Sequence, residues 1–162
     1  MASMAKSENW NSKIGFNPVS AAPTAKGRRF ALVVSSWNSE ITNTLADGAT
    51  HVLEQLRADR VDRFDVPGSF ELIHGCKVHA ESLEYDAVIA IGSVVRGETP
   101  HFDFVCQGVT YGIARLNATG KTPVIFCVLT DDTYQQSLDR SGGRLGNKGE
   151  EAALAAVQMA AF

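Results

Sequence analysis

The sequence predicts an α/β domain built on a mostly parallel sheet with helices on both faces. Three observations lead there. Short β-rich apolar runs alternate with longer segments whose apolar residues recur at helical spacing, the pattern of βαβ crossovers. The 162 residues are enough to close one core and too few for two. The residues with chemistry to offer collect just after the strands, where parallel sheets bind their ligands.

Phe30-Ala-Leu-Val-Val-Ser-Ser36 is the first strand, an apolar run without alternation and so buried on both faces. Ile41, Leu45, Ala49, Val52, Leu53 and Leu56 follow at helical spacing, with Glu40, Asp47, Glu54 and Arg57 off that stripe. Val61 to Val66 is a second, weaker strand that stops at Pro67-Gly68. Phe70, Ile73, Cys76 or Lys77, Ala80 and Leu83 trace the next helix. Ala87-Val-Ile-Ala-Ile91 is the third strand and Val124-Ile-Phe-Cys-Val-Leu129 the fourth, with a helix from about Pro100 to Asn117 between them. Two shorter helices, about Asp132 to Ser141 and Lys148 to Ala161, close the pattern.

With 44% hydrophobic and 20% charged residues, disordered and low-complexity classes are excluded for the body of the chain. Nowhere does an apolar run reach the roughly 18 residues a membrane span needs, so no membrane partner is expected. A net charge of −3 argues against a nucleic-acid partner, although a local phosphate site needs only a few donors. Cys76, Cys106 and Cys127 form no CxxC pair and no zinc spacing with histidine. They read as buried free thiols of a reducing, cytoplasmic compartment. Met1 to Gly27 lacks the continuous apolar stretch of a secretory leader. It reads as a flexible arm anchored at most by Trp10, Ile14 and Phe16, and residues 28–162 as the folded domain.

Trp37-Asn38 follows the first strand, and a large aromatic there suits packing on a neighbouring loop as well as a ring-stacking platform. Pro67-Gly68-Ser69-Phe70-Glu71 follows the second. Gly68 permits a tight turn and Glu71, in the first helical turn, complements the helix dipole. A phenylalanine such as Phe70 packs in a core more often than it binds a ligand.

After the third strand comes Gly92-Ser-Val-Val-Arg-Gly-Glu-Thr-Pro-His-Phe-Asp103. A strand, a glycine-bounded loop and a helix make a phosphate cradle, because backbone amides and a helix N-terminus face the anion together. Gly92-x-x-x-x-Gly97 matches P-loop spacing, but Glu98 stands where the P-loop lysine must be and would repel a triphosphate. A single phosphate is left, held by the amides around Gly97 to Thr99 and the Thr99 hydroxyl. Thr99 reads as the N-cap and Pro100 as the first helical residue, which sets His101 in the first turn at the mouth of the loop. The helix end disfavours an imidazolium and a bound phosphate dianion favours one, a balance suited to a proton shuttle.

His51, His74 and His79 fall inside helices away from the strand ends, and no two histidines offer a metal pair. Thr130-Asp131-Asp132-Thr133 reads as an N-cap cluster rather than a magnesium site. Arg140, Arg144 and Lys148, in the glycine-rich connection that follows, suit an anion or the dipole of a helix end, and the residues alone do not choose.

Ser36-Trp37-Asn38, Pro67 to Glu71, Gly92 to Asp103, Val128-Leu-Thr-Asp-Asp-Thr133 and Gly146-Asn-Lys-Gly149 stand in the order and spacing of the lumazine synthases. From about Phe30 to Phe162 the chain resembles that family. The resemblance implies a flavodoxin-like three-layer sandwich, a four-stranded parallel sheet flanked by helices. It implies condensation of 5-amino-6-(D-ribitylamino)uracil with 3,4-dihydroxy-2-butanone 4-phosphate through an imine, phosphate elimination and ring closure. This is the penultimate step of riboflavin biosynthesis, and the family uses neither metal nor organic cofactor. By the same resemblance Trp37 stacks on the pyrimidine, Ser69, Phe70 and Glu71 line the ribityl pocket, and Ser93, Val94 and Val95 touch the pyrimidine. Glu98 and Thr99 belong to the phosphate loop and His101 is the proton shuttle. Phe126, against the heterocycle, and Arg140, on the phosphate, come from the adjacent subunit of a ring of five. The short connection from Ser141 to Asn147 permits such pentamers to close into an icosahedral capsid, and riboflavin synthase is a further candidate partner.

Two other classes compete with the enzyme. One is a module that binds a flavin, a lumazine or another phosphorylated ligand without turnover; the other is a shell protein that keeps only the fold. His101 beside the loop favours the enzyme.

Overall fold

The computed structural model describes residues 24–162; Trp10, Ile14 and Phe16, the expected anchors of the arm, lie outside the described residues. Residues 24–27 are held against the domain. Ala25 is fully buried with its amide donating to the Leu56 carbonyl (2.7 Å), and the Gly27 amide donates to Asp59 Oδ1 (2.8 Å).

Four strands, β1 (Arg29–Ser35), β2 (Arg60–Val66), β3 (Ala87–Val95) and β4 (Val124–Asp131), form one parallel sheet in the order β2-β1-β3-β4. The helices are α1 (Ser39–Gln55), α2 (Leu72–Glu81), α3 (His101–Thr119), α4 (Tyr134–Arg140) and α5 (Lys148–Ala160). The central strands are apolar on both faces because both faces are covered. Phe30, Leu32 and Val34 of β1, with Ile89 and Ile91 of β3, pack against Ile41, Leu45 and Leu53 of α1 and Ala153 and Ala156 of α5. Ala31, Val33, Val88 and Ala90 point the other way, to Leu72 and Cys76 of α2 and Val109 and Ile113 of α3. The result is the three-layer α/β sandwich that the alternation of elements predicts. Strand β2 is weaker because it is an edge, and Arg60, Asp62, Arg63 and Asp65 keep that edge charged.

The structure corrects several boundaries. Strand β3 runs to Val95 instead of stopping at Ile91, since β4 pairs with it along its full length, Val95 opposite Asp131. Gly92 is therefore a strand residue and not the start of a loop. Helix α2 begins at Leu72 and ends at Glu81, so Phe70 and Leu83 are not on it; Leu83 has a left-handed backbone (φ 58°) and is exposed. Helix α4 begins at Tyr134, capped by a reciprocal pair between Thr133 and Gln136, which leaves Asp132 outside it. Between α4 and α5, where a plain connection is expected, β5 (Ser141–Gly143) and β6 (Gly146–Asn147) form a small antiparallel hairpin. Its glycines permit it: Gly142 and Gly146 adopt φ 102° and 87°.

All three cysteines are free. Cys76 and Cys127 are buried and their thiols are pushed up to about 12 by that burial, which makes them inert. Cys106 is only half-buried, contrary to the expectation for it, because it borders an open depression between α3 and β4.

Candidate active site

The carboxyl ends of β1, β2 and β3 converge on one cavity of about 460 Å³. At the end of β1 the Trp37 amide donates to Ser35 Oγ (3.3 Å), and Asn38 takes the left-handed conformation (φ 56°, ψ 50°) that a short polar side chain tolerates best. Asn38 Nδ2 donates to the Ser93 carbonyl (3.0 Å) and so ties this turn to β3. Trp37 is left 71% exposed, with its indole on the cavity wall and not packed into the fold.

After β2, Gly68, Ser69, Phe70 and Glu71 form a turn along the same wall. Phe70 is 56% exposed, not a core residue. Its ring lies over Gly108 of α3, where a Cβ would come within 2.8 Å of it. Glu71 sits one residue before α2, with helical dihedrals but outside the helix. Ser69 is buried, and its Oγ would stand 2.7 Å from a Cβ at Gly92. That close approach explains why position 92 is glycine in the middle of a strand.

Ser93, Val94 and Val95, expected in a loop, are the last residues of β3, and all three line the cavity. The Ser93 hydroxyl is buried there without a hydrogen-bond partner among the described residues. The loop proper is short, Arg96 to Pro100, so the P-loop-like spacing from Gly92 is a coincidence of a strand glycine and a loop glycine. Among the described residues the amides of Gly97, Glu98 and Thr99 donate to no protein acceptor, which leaves them free for an anion. Helix α3 starts at His101. Thr99 makes no side-chain cap; instead the Pro100 carbonyl accepts from the Asp103 amide (2.9 Å) in a tight first turn. Gly97, Thr99 and His101 line the cavity together.

Of the sequence-predicted residues, Trp37, Ser69, Phe70, Glu71, Ser93, Val94, Val95, Thr99 and His101 meet in this cavity. Glu98 lies on its loop but not on its wall. Phe126 is on β4, facing a second, open depression beside Phe104 and Tyr111 of α3. Arg140 ends α4, with Nε 3.9 Å from Asp131 Oδ1. Neither reaches the cavity of its own chain. The residues that sequence reasoning missed are Phe102 and Val105, which also line it. Helical spacing could have found Val105, four residues on from His101, and then Phe102, three residues before Val105. Arg144, left open from sequence, pairs with Asp139 (2.9 Å), and Lys148 with Glu151 (3.1 Å).

The family model for 6,7-dimethyl-8-ribityllumazine synthase matches residues 27–162. The chain belongs to the lumazine synthase family. Relatives carrying that name are close throughout. One from Christiangramia forsetii is 55% identical over 141 residues, 85% of this chain and 84% of its own. One from Flavobacterium johnsoniae is 56% identical over 140 residues, 85% and 74% of the two chains. One from Parabacteroides distasonis is 50% identical over 153 residues, 93% and 94% of the two. As a member of the lumazine synthase family the chain is an enzyme, a transferase that forms a lumazine in riboflavin biosynthesis. Among the described residues no helix is long and apolar enough to cross a membrane.

Proposed function

We propose that this lumazine synthase joins 5-amino-6-(D-ribitylamino)uracil to 3,4-dihydroxy-2-butanone 4-phosphate, with His101 as the proton shuttle. One observation carries the reading: a single cavity is lined by an exposed indole, a polar turn, a loop with unpaired amides and an imidazole. Trp37 offers its face to the pyrimidine. The unpartnered Ser93 hydroxyl offers that ring a hydrogen bond, and Val94 and Val95 bound its edge. Ser69, Phe70 and Glu71 flank the ribityl chain, and the loop of Glu98 and Thr99, at the positive end of α3, receives the phosphate.

The aromatic amine is already a nucleophile and the ketone already an electrophile, so the protein's task is alignment and proton transfer. Attack of the amine on the ketone and loss of water give an imine. Removal of a proton from the neighbouring carbon lets the phosphate leave with the C–O electron pair. The enol left by that elimination takes a proton on its terminal carbon and becomes a ketone. The ribityl-bearing nitrogen attacks this new carbonyl, and loss of a further water closes the ring. His101 takes up and returns the protons of these steps.

The site is completed by a neighbour in a ring of five, which lends Phe126 to the heterocycle and Arg140 to the phosphate. In support, both lie away from their own cavity, and Phe104, Tyr111 and Phe126 leave an apolar patch across α3 and β4. Mixing the two substrates with the protein and following lumazine fluorescence tests the reaction: turnover above the spontaneous background is expected, and a binding module or a shell protein gives none. His101→Ala is expected to lower turnover at saturating substrates by roughly 10²–10⁴-fold, with slow residual formation because alignment survives. Undiminished turnover in that variant takes the shuttle away from His101.

A further inference from the structure

Arg96 is the first residue beyond β3, and its side chain joins the elements that surround the loop. Its amide donates to the Asp131 carbonyl (2.9 Å) at the end of the β3–β4 ladder. Its Nε donates to Asp132 Oδ1 (2.7 Å), its Nη1 to Asp103 Oδ1 (3.3 Å), and the guanidinium carbon lies 4.3 Å from the centre of the Phe102 ring. One planar fork thus spans the end of β4 and the first turn of α3 and stacks on the residue next to His101. Between Arg96 and the Pro100 carbonyl, which accepts from the Asp103 amide, residues 97–99 have no polar anchor of their own among the described residues. The amides of 97–99 are unpaired, and the side chains of Glu98 and Thr99 make no hydrogen bond or ion pair.

We propose that Arg96 is a positioning residue. It fixes the path of Gly97 to Pro100 and the start of α3, and with them the spacing between the loop amides and the His101 imidazole. This rests on the reading of that loop as the phosphate site. The fork matters more than the charge, because a guanidinium can bridge two carboxylates and stack on an aromatic face at once, whereas an ammonium is a single point charge. Arg96 and Asp103 are about half exposed and Asp132 more so, and exposed ion pairs add little to stability. Their loss therefore falls on the geometry of the loop and not on the fold.

Arg96→Gln, Arg96→Lys, Asp132→Asn and the double variant Arg96→Gln with Asp132→Asn test this in the full chain. The readouts are the affinity for inorganic phosphate, the KM of each substrate and kcat. Arg96→Gln is expected to weaken inorganic phosphate and raise the KM of the phosphorylated ketose by about 10- to 100-fold, the scale of a small misplacement. The pyrimidine KM stays within about twofold, because Trp37 and Ser93 are held by β1 and β3. Arg96→Lys and Asp132→Asn each lose at least about threefold in phosphate affinity, and the double variant is no worse than Arg96→Gln alone. Wild-type phosphate affinity in Arg96→Gln or Arg96→Lys overturns the proposal. So do additive losses in the double variant, or an equal rise in both KM values. Should the unsubstituted protein make no lumazine, the proposed reaction falls, while the inorganic phosphate measurements still decide the role of Arg96.

Discussion

Asp131 and Asp132 stand side by side at the end of β4 and serve two arginines. Asp132 holds Arg96, while the nearly buried Asp131 accepts from Ser137 Oγ (2.8 Å) and turns its other oxygen toward Arg140. Neither carboxylate is a free metal ligand; each orients a cation. Arg140→Ala is expected to raise the KM of the phosphorylated ketose by about 10- to 100-fold, the worth of a hydrogen bond to a charged group. The pyrimidine KM should hardly move. Steady-state kinetics with each substrate varied in turn check this, and an equal effect on both would count against a phosphate contact. At this scale the sequence was legible where a residue follows a strand, as with Trp37 and His101. It was not legible where the decisive fact is a neighbour distant in the chain. Gly92 reads as loop punctuation until Ser69 and Leu72 are seen to fill the space a Cβ would need.

Helices α1 and α5 meet through glycines. A Cβ on Gly149 would run into the Leu45 carbonyl, and one on Gly48 would meet the Asn147 side chain. Asn147 in turn caps α5 by accepting from the Gly149 amide (2.8 Å) and donates to the Thr44 carbonyl (3.0 Å). Gly149→Ala is therefore expected to lower stability by about 1–3 kcal/mol or more, the usual cost of overpacking, since a backbone carbonyl cannot move aside as a side chain can. A thermal melt reads this directly, and an unchanged Tm would show that α1 and α5 can part without loss. Element types were readable from period and apolar content throughout. Their ends were not: β3 gained four residues from pairing with β4, and the β5–β6 hairpin depends on left-handed glycines rather than on any apolar pattern.

For the molecule as a whole, the charged edge at β2 links stability to pH. His79 stacks on Phe64 (3.7 Å between ring centres), and the Tyr85 hydroxyl donates to Asp62 Oδ2 (2.6 Å), with Arg60 and Glu84 beside them. Burial lowers the His79 pKa below its ordinary 6.5, against the pull of Glu84 and Asp62. The Tyr85 hydrogen bond, helped by Arg60, lowers that of Asp62 below 3.8. In both cases the unfolded chain takes up its proton first as the pH falls. The two contributions are thus whole above the unfolded values and are lost on acidification, that of His79 below 6.5 and that of Asp62 below 3.8. Tm is expected to fall between about pH 7.5 and pH 5, and to fall less in His79→Phe. An equal fall in that variant would remove His79 as a source.

By itself the sequence determined the layer order and the end of the sheet at which chemistry gathers. Apolar periodicity follows directly from which faces are buried, and parallel connections leave the strands' carboxyl ends open. Only the tertiary structure decided that Gly92 to Val95 belong to β3, that the loop before α3 is confined to Arg96–Pro100, and that a hairpin stands between α4 and α5. The first two depend on pairing between strands far apart in the chain and the hairpin on left-handed glycines, and apolar spacing carries no record of either.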